Sequence, residues 1–166
     1  MLESFLSLYQ NTSFHKMTVK DICKEANINR STFYEYFIDI YDVLDTIENS
    51  IFPPSELLPQ FNAHKKCTVF DIEQHLLLLR EQKKSLKILF SERENNTFRT
   101  KFINYIKPIV LEIFKDEAMT SKTQYTIEYT LWGILGAFEY YSLHDEGERE
   151  EEFLKSVIHM VEKTTF

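Results

Sequence analysis

The sequence predicts an all-α protein with an N-terminal three-helix helix-turn-helix domain, followed by a second, longer helical domain. Three observations lead to this prediction. Only 3 Gly and 4 Pro occur in 166 residues, so few turns are available and a mostly helical chain is favoured. Three helix-start signals follow one another at intervals of 10 to 11 residues between Met17 and Leu44. In the longer second part, apolar residues recur at helical spacing, and no stretch has a convincing strand pattern.

The three helix-start signals combine a capping residue with a hydrophobic staple. Thr18 is placed to cap one helix, with Asp21 three residues further on. Asn29 is placed to cap a second helix, and Asp39 a third, with Asp42 three residues after it. The staple pairs are Met17 with Ile22, Ile28 with Phe33, and Ile38 with Val43. This spacing is that of a helix-turn-helix, whose second helix enters the major groove of DNA.

Four helices are expected in the N-terminal part, at about residues 2–9, 18–26, 30–37 and 40–52. The second helix stops at Asn27, a residue that tolerates the left-handed conformation often needed at a helix end. The third helix has only Phe33 and Phe37 clearly inward. Its Arg-Ser-Thr-Tyr face is left exposed, which is unusual unless something binds it.

The pair Pro53-Pro54 is the best candidate for a domain boundary, which assigns residues 1–50 to one domain and residues 51–166 to the other. Beyond this pair, a capping box at Thr68 opens a helix. Further helices are expected at about residues 95–114, with a kink at Pro108, at 121–143, and after the acidic run 145–152. The stretch YTLWGILGAF, residues 129–138, is apolar almost all round, so this helix is expected to be buried on every side.

The net charge of −7 argues against a general nucleic-acid binder. Residues 1–50 carry four basic residues against eight acidic ones. The bases are Lys16, Lys20, Lys24 and Arg30, and all of them fall where a helix-turn-helix would meet phosphates. The positive field is therefore expected to be a local patch and not a property of the whole domain.

Several other functions are disfavoured by the composition. No apolar run approaches the roughly 18 residues that span a membrane, and the N-terminus lacks the basic region of a secretory signal, so a cytoplasmic location without membrane contact is expected. Cys23 and Cys67 are expected to be free thiols in a reducing compartment. The five histidines (His15, His64, His75, His144 and His159) lack ligand spacing, so neither a metal nor a cofactor is expected. No catalytic constellation is visible, and enzymatic activity is not expected.

The stretch TVKDICKEANINRSTFYEYF, residues 18–37, resembles the DNA-binding domain of the TetR family of bacterial transcriptional regulators. The resemblance covers about residues 2–44, and LESFLSLY at residues 2–9 is similar to the first helix of that family. Helix spacing, apolar positions and the Thr-Phe-Tyr core of the third helix all agree. The rest of the chain resembles the family only in its helical layout.

The resemblance implies roles for particular residues. Thr18 and Lys20 correspond to the start of the family's second helix, which touches the DNA backbone or a base edge. The base-reading start of the recognition helix corresponds to Arg30, Ser31 and Thr32, and Asn29 just before them is also expected to contact DNA. Positions that commonly hydrogen-bond phosphate correspond to Tyr34 and Tyr36, and His15 and Lys16 are expected to face phosphate nearby. Arg suits guanine O6 and N7, whereas hydroxyls suit phosphate oxygens, which agrees with this division.

Two positions depart from the family pattern. The usual Gly of the turn is Asn27, a tolerable exchange, and the usual Lys at the start of the fourth helix is Ile40, which removes a phosphate contact. The version FIDIYDVL, residues 37–44, is similar to a subgroup that contains the activator of dihydroxyacetone-kinase genes. In that subgroup the signal can arrive through a partner protein instead of a small molecule.

Two sites are considered in the second domain. The small and aromatic residues near Trp132 could line a ligand pocket or a subunit seam, and the seam is favoured because the family's last two helices form a four-helix bundle across a two-fold axis. The seam candidates are Trp132, Gly133, Gly136, Ala137, Tyr140, Leu154, Val157, Ile158 and Val161. A ligand pocket could be lined by Phe98, Phe102, Tyr105, Tyr125 and Tyr129. Ordinary core packing is the competing explanation for the pocket residues.

The leading hypothesis is a homodimeric repressor that binds a palindromic operator in double-stranded DNA and is released by a small apolar or aromatic ligand. One alternative is an activator or co-regulator that a partner protein switches. Another is a helical interaction module that has lost DNA binding. A closed apolar pocket in the second domain would favour the small ligand, whereas a filled core with an exposed apolar patch would favour the protein partner.

Overall fold

The computed structural model of the chain describes residues 1–52, 79, 82–91, 96–144 and 150–164. Within these residues the secondary structure is helical, without a strand, which confirms the all-α prediction. The α-helices are α1 (Leu2–Asn11), α2 (Val19–Glu25), α3 (Arg30–Tyr36), α4 (Ile40–Ser50), α5 (Lys83–Ser91), α6 (Asn96–Ile113), α7 (Ser121–Leu143) and α8 (Glu150–Thr164). A short 3₁₀ helix, Phe14–Lys16, links α1 to α2.

The first three helices form a small bundle around aromatic side chains. Helix α1 packs on α2 and α4, and α2 packs on α3. The rings of Phe5 and Tyr9 lie 5.5 Å apart on α1, and Phe14 meets Tyr9 edge to face at 5.9 Å. Phe33 of α3 is fully buried in the same core. Phe14 therefore anchors the link between α1 and α2.

Two of the three predicted caps are present. The Thr18 hydroxyl accepts from the Asp21 backbone N–H at 3.3 Å, and an Asp21 carboxylate oxygen accepts from the Thr18 N–H at 3.1 Å, which completes a capping box. An Asp39 carboxylate oxygen accepts from the N–H groups of Tyr41 and Asp42 at 2.8 and 2.9 Å. Asn29 occupies the N-cap position of α3, but its side chain makes no capping hydrogen bond, so that part of the prediction is wrong.

The turn between α2 and α3 has the left-handed residue that the sequence predicts. Asn27 has φ 52° and is the one non-glycine residue with positive φ in the described part of the chain. The Ile28 N–H donates to the Cys23 carbonyl at 3.0 Å, and the Asn27 N–H donates to the Lys24 carbonyl at 3.3 Å. These two hydrogen bonds form a Schellman motif, which ends α2 and redirects the chain into α3.

The second half of the chain is a helical bundle around phenylalanines. Helix α7 packs on α5 and α6, and α8 packs on α7. Phe90, Phe98, Phe102 and Phe138 are buried and in ring contact, with the Phe102 and Phe138 centroids 5.3 Å apart. Arg99 of α6 holds the bundle together by donating to the Glu139 carboxylate at 2.7 Å and to the Phe90 carbonyl at 3.2 Å.

Several expectations for the second half are corrected, or lie outside the described residues. The apolar helix α7 is not buried on every side, because Tyr129 and Trp132 are 71% and 59% exposed. Helix α4 ends at Ser50 instead of residue 52. Pro108 lies inside α6. The Pro53-Pro54 boundary, Cys67, the box at Thr68, His64, His75 and residues 145–149 of the acidic run fall outside the described residues.

The two halves meet where α1 packs on α5, and again at α4 and α6. The Lys101 ammonium donates to an Asp45 carboxylate oxygen at 2.5 Å and lies 3.0 Å from a Glu48 carboxylate oxygen. Burial lowers the pKa of Lys101, but hydrogen bonds and charge attraction from both acids outweigh this effect and raise it above its usual value. The hydrogen bond from Lys101 lowers the pKa of Asp45. Phe52, just after α4, stacks on Tyr105 of α6 with centroids 4.8 Å apart.

Candidate nucleic-acid interface and the face of α7

Helix α3 is held by one buried residue and presents its other faces to solvent. Phe33 is fully buried, whereas Arg30, Ser31, Tyr34 and Tyr36 are exposed. Thr32 is half-buried, and Asn29 is exposed at the N-terminal end of the helix. The helix therefore carries a guanidinium, hydroxyls and phenols on a surface that the rest of the bundle does not cover.

The residues before α3 add a second row of polar groups. His15 and Lys16 are exposed in the 3₁₀ helix, and Thr18 and Lys20 are exposed where α2 begins. The Thr18 hydroxyl donates to an Asp21 carboxylate oxygen at 2.6 Å. Its hydrogen atom is thereby committed to the cap, so Thr18 can offer DNA little more than van der Waals contact and a lone pair.

The charge on this surface is mixed. The Thr18 hydroxyl holds the pKa of the exposed Asp21 below its usual value, and Lys20 and Lys24 add smaller effects in the same direction. Asp21 therefore stays ionised among the basic residues at neutral pH. Lys16, Lys20, Lys24 and Arg30 are all exposed, so the positive patch that the sequence predicts here would also contain this carboxylate.

Two features of this surface were missed in the sequence. Ile38 was assigned to a hydrophobic staple with Val43, but it is 82% exposed, so that staple is wrong. Tyr41 is exposed at the start of α4, and its ring meets the edge of Phe14 at 4.9 Å. The contact joins residues far apart in sequence, so no local sequence pattern predicts it. Tyr41 is a further phenol beside the predicted DNA-contacting residues.

The structure does not bring the five predicted pocket residues together. Phe98 and Phe102 are fully buried in the aromatic core, and burial raises the pKa of the half-buried Tyr105 beside them. Tyr125 and Tyr129 lie on the outer side of α7, where they are 75% and 71% exposed. The first three residues pack as core, as the competing explanation held, and the last two face solvent.

The predicted seam residues lie along one side of α7 and α8. Trp132, Gly133, Gly136 and Tyr140 are exposed, Ala137 is half-buried, and Val157, Ile158 and Val161 are buried. The side chain of Leu154 is outside the described part. A groove of about 260 Å³ runs between the two helices and is lined by Tyr129, Gly133, Ala137, Val157, Met160 and Lys163, among others. A Cβ atom at Gly133 or Gly136 would meet no atom within 4 Å.

The described ranges contain neither a cluster of metal ligands nor a membrane-spanning helix. No group of three or more His, Cys, Asp and Glu side chains there could hold a metal ion. Among the described helices, none combines the length and the apolar character needed to cross a membrane. Cys23 is a buried free thiol.

Comparisons with known proteins agree with this architecture. The family model described as "Bacterial regulatory proteins, tetR family" matches residues 5–47, and the model described as "Transcriptional regulator C-terminal region" matches residues 71–163. A search of curated proteins finds no match. Among solved structures, the chain is similar to "Dihydroxyacetone kinase operon activator DhaS". The TM-score is 0.65 at 19% identity, over 99% of this chain and 93% of that one.

The two family models cover the helix-turn-helix and most of the second half, and the structural likeness shows a shared fold. Residues 5–47 contain α2, the turn at Asn27 and α3, which are the elements that carry the resemblance to the family in the sequence. The chain belongs to the TetR family and is a DNA-binding transcriptional regulator.

Proposed function

We propose that this regulator binds a palindromic operator as a homodimer and inserts α3 into the major groove. The observation that carries the proposal is the division of α3 into one buried residue, Phe33, and an exposed surface of Arg30, Ser31, Tyr34 and Tyr36. Arg30 suits guanine in the major groove, and the tyrosine hydroxyls suit phosphate oxygens. Repression follows when the bound dimer covers a promoter.

The outer side of α7 supports the homodimer. Tyr125, Tyr129, Trp132 and Tyr140 are large side chains left exposed along it, and exposed apolar patches of this kind mark interaction sites. The open space above Gly133 and Gly136 would let a second helix approach closely. A symmetric pair also matches the geometry of a palindrome, whose half-sites lie one DNA turn apart.

A specific observation favours a partner protein as the second candidate for the controlling signal. Phe98 and Phe102, two of the expected pocket residues, are filled core, and an apolar face is exposed on α7. This combination is the one expected of partner control. Release by a small ligand remains the first candidate suggested by the family, and the open groove beside Val157 offers it a place.

The experiment for DNA binding uses the DNA beside the chain's own gene. Arg30→Ala and Tyr34→Phe should each weaken binding to one palindrome, by about 1–3 kcal/mol for the arginine. Gln10→Ala, an exposed change on α1, serves as the control and should leave the affinity unchanged. Affinity should also fall as salt rises. A dimer without salt-dependent binding would instead support the helical interaction module.

The experiment for the dimer replaces an exposed glycine by a large side chain. Gly136→Phe should shift the chain from dimer to monomer in sedimentation equilibrium, because the added ring fills the space a second helix would use. Lys107→Phe adds the same ring at an exposed position on α6 and should leave the dimer intact. A parent chain that sediments as a monomer at all concentrations would contradict the homodimer.

The sign of control is tested with a reporter gene under the operator. A repressor lowers expression, and Arg30→Ala restores it. An activator gives the opposite response to the same variant. Provided that the parent chain binds the operator, either outcome identifies the direction of regulation.

A further inference from the structure

An ion pair between α4 and α6 links the two halves of the chain. Asp45 and Glu48 lie three residues apart on α4, and both carboxylates reach the single Lys101 ammonium of α6. Glu48 is only 1% exposed. A carboxylate buried to this degree is costly unless it is paired, so the position of α4 that keeps Lys101 in reach is strongly preferred.

Helix α4 is in turn closely tied to the recognition helix. Only Phe37, Ile38 and Asp39 separate α3 from α4. The Asp39 carboxylate caps α4, and an Asp42 carboxylate oxygen accepts from the Ile38 N–H at 2.9 Å. This three-residue link has little freedom, because both of its polar ends are hydrogen-bonded. A rotation of α4 therefore moves α3 with it.

The far end of α4 has a second attachment on the same helix of the other half. The Phe52 ring lies 5.8 Å from Phe98, 6.3 Å from Phe102 and 4.8 Å from Tyr105. Ring contacts of this kind prefer offset-stacked and edge-to-face geometries and resist separation, so they hold the end of α4 against α6. The ion pair adds directional hydrogen bonds earlier on α4, so it is placed to oppose rotation of α4 about the Phe52 attachment.

We infer that Lys101 is a positioning residue for DNA recognition, which sets the orientation of α3 relative to the second half by holding Asp45 and Glu48. The inference rests on the proposed function, because orientation matters only if α3 enters the groove. A state of the second half that withdraws Lys101 from Glu48 releases α4 and lowers operator affinity. Lys101 acts through α4 and does not touch the DNA.

The test separates positioning from stability with two variants. Lys101→Met leaves the Glu48 carboxylate buried without its ammonium, so both the melting temperature and operator affinity should fall. Lys101→Met combined with Glu48→Leu replaces the pair by apolar side chains, and such replacements commonly recover stability. The double variant should therefore melt near the parent temperature. Its operator affinity should stay about tenfold below the parent, a usual size for coupling between sites.

The orientation itself is measured without DNA. Nitroxide labels at Glu35→Cys on α3 and Asn104→Cys on α6, both exposed positions, are placed in a background with Cys23 and Cys67 replaced by serine. Labelled chains are diluted with unlabelled ones, so that distances within one chain are read by pulsed electron paramagnetic resonance. The parent should give one narrow distance distribution, and both Lys101 variants a broad or displaced one. Lys107→Met, at an exposed lysine of the same helix, is the control and should match the parent.

Each outcome of these experiments supports or overturns the positioning role of Lys101. Recovery of stability, affinity and a narrow distribution together in the double variant would overturn the inference, because Lys101 would then be structural only. An unchanged distribution in Lys101→Met would also overturn it. If the parent fails to bind its operator, the proposed function fails, while the label distances still decide whether Lys101 orients α3.

Discussion

The two halves of this regulator are held by contacts of different sequence range. In residues 1–52 the turns depend on hydrogen bonds between near neighbours, such as the Thr18–Asp21 box and the Ile28–Cys23 bond. In residues 82–164 the bundle depends on contacts such as Arg99–Glu139, which are 40 residues apart. We therefore expect the fold of the first half to tolerate substitutions of its surface residues. The fold of the second half depends instead on the packing of many side chains that are distant in sequence.

The largest expected effect is the loss of a buried ring in the second half. Phe102→Ala should lower the free energy of unfolding by about 3–5 kcal/mol, because it opens a cavity among the rings around Phe102. Urea titration at matched protein concentration measures the change. Phe102→Leu, which retains most of the volume, should cost clearly less. A loss under about 1 kcal/mol for the alanine variant would contradict a tightly packed aromatic core.

A smaller effect is expected from a cap in the first half. Asp39→Ala should cost about 1–2 kcal/mol, because two backbone N–H groups at the start of α4 lose their acceptor. Asp39→Ser keeps an acceptor and should recover most of the stability in the same titration. Equal losses for both variants would mean that the carboxylate charge, and not the cap, is the important feature.

Substitutions of the turn residue Asn27 should change the free energy of unfolding by a still smaller amount, and the sign of the change depends on the new residue. Asn27→Ala should cost about 1 kcal/mol, because alanine is strained at positive φ. Asn27→Gly should be neutral or slightly stabilising, since glycine adopts this conformation freely. Thermal unfolding of the pair measures the difference. Equal stability of the alanine and glycine variants would show that the left-handed turn is not retained.

The smallest expected effect is a pH dependence of the capping box. The Thr18 hydroxyl lowers the pKa of Asp21 below its usual value of 3.8, so this contribution to stability is complete above that value. It is lost as the pH falls through the lowered pKa of the folded state. The melting temperatures of the parent and of Asp21→Ala should therefore converge below about pH 3.8, and a constant gap would contradict the assignment.

The predictability of each half from sequence follows the range of its contacts. The caps at Thr18 and Asp39 and the turn at Asn27 depend on residues within five positions, so local patterns predicted them. The failure at Ile38 has the same origin, because a staple pattern does not reveal whether the residue finds a partner. Lys101 and Asp45, which form an ion pair, are 56 residues apart in sequence, and no spacing rule predicts such a contact.

The candidate sites differ in the same way. The exposure of Arg30, Ser31, Tyr34 and Tyr36 was predictable, because only Phe33 and Phe37 are clearly inward in the sequence pattern of this short segment. The structure buries Phe33 and leaves Phe37 half-buried just after the helix. Aromatic character is the basis for the predicted pocket residues, and aromatic side chains occur both in a packed core and in the lining of a cavity. Only the packing separates the buried Phe98 and Phe102 from the exposed Tyr125 and Tyr129.

The scarcity of basic residues near the recognition helix has a consequence for competition within a chromosome. Affinity for arbitrary DNA comes almost entirely from phosphate neutralisation, and residues 1–50 supply only four lysines and arginines for it. We therefore expect non-target sites, which are vastly more numerous than any operator, to retain few copies of this protein. Under the proposed function, a small pool of molecules would fill one operator, and its occupancy would change little when the amount of DNA in the cell doubles during replication.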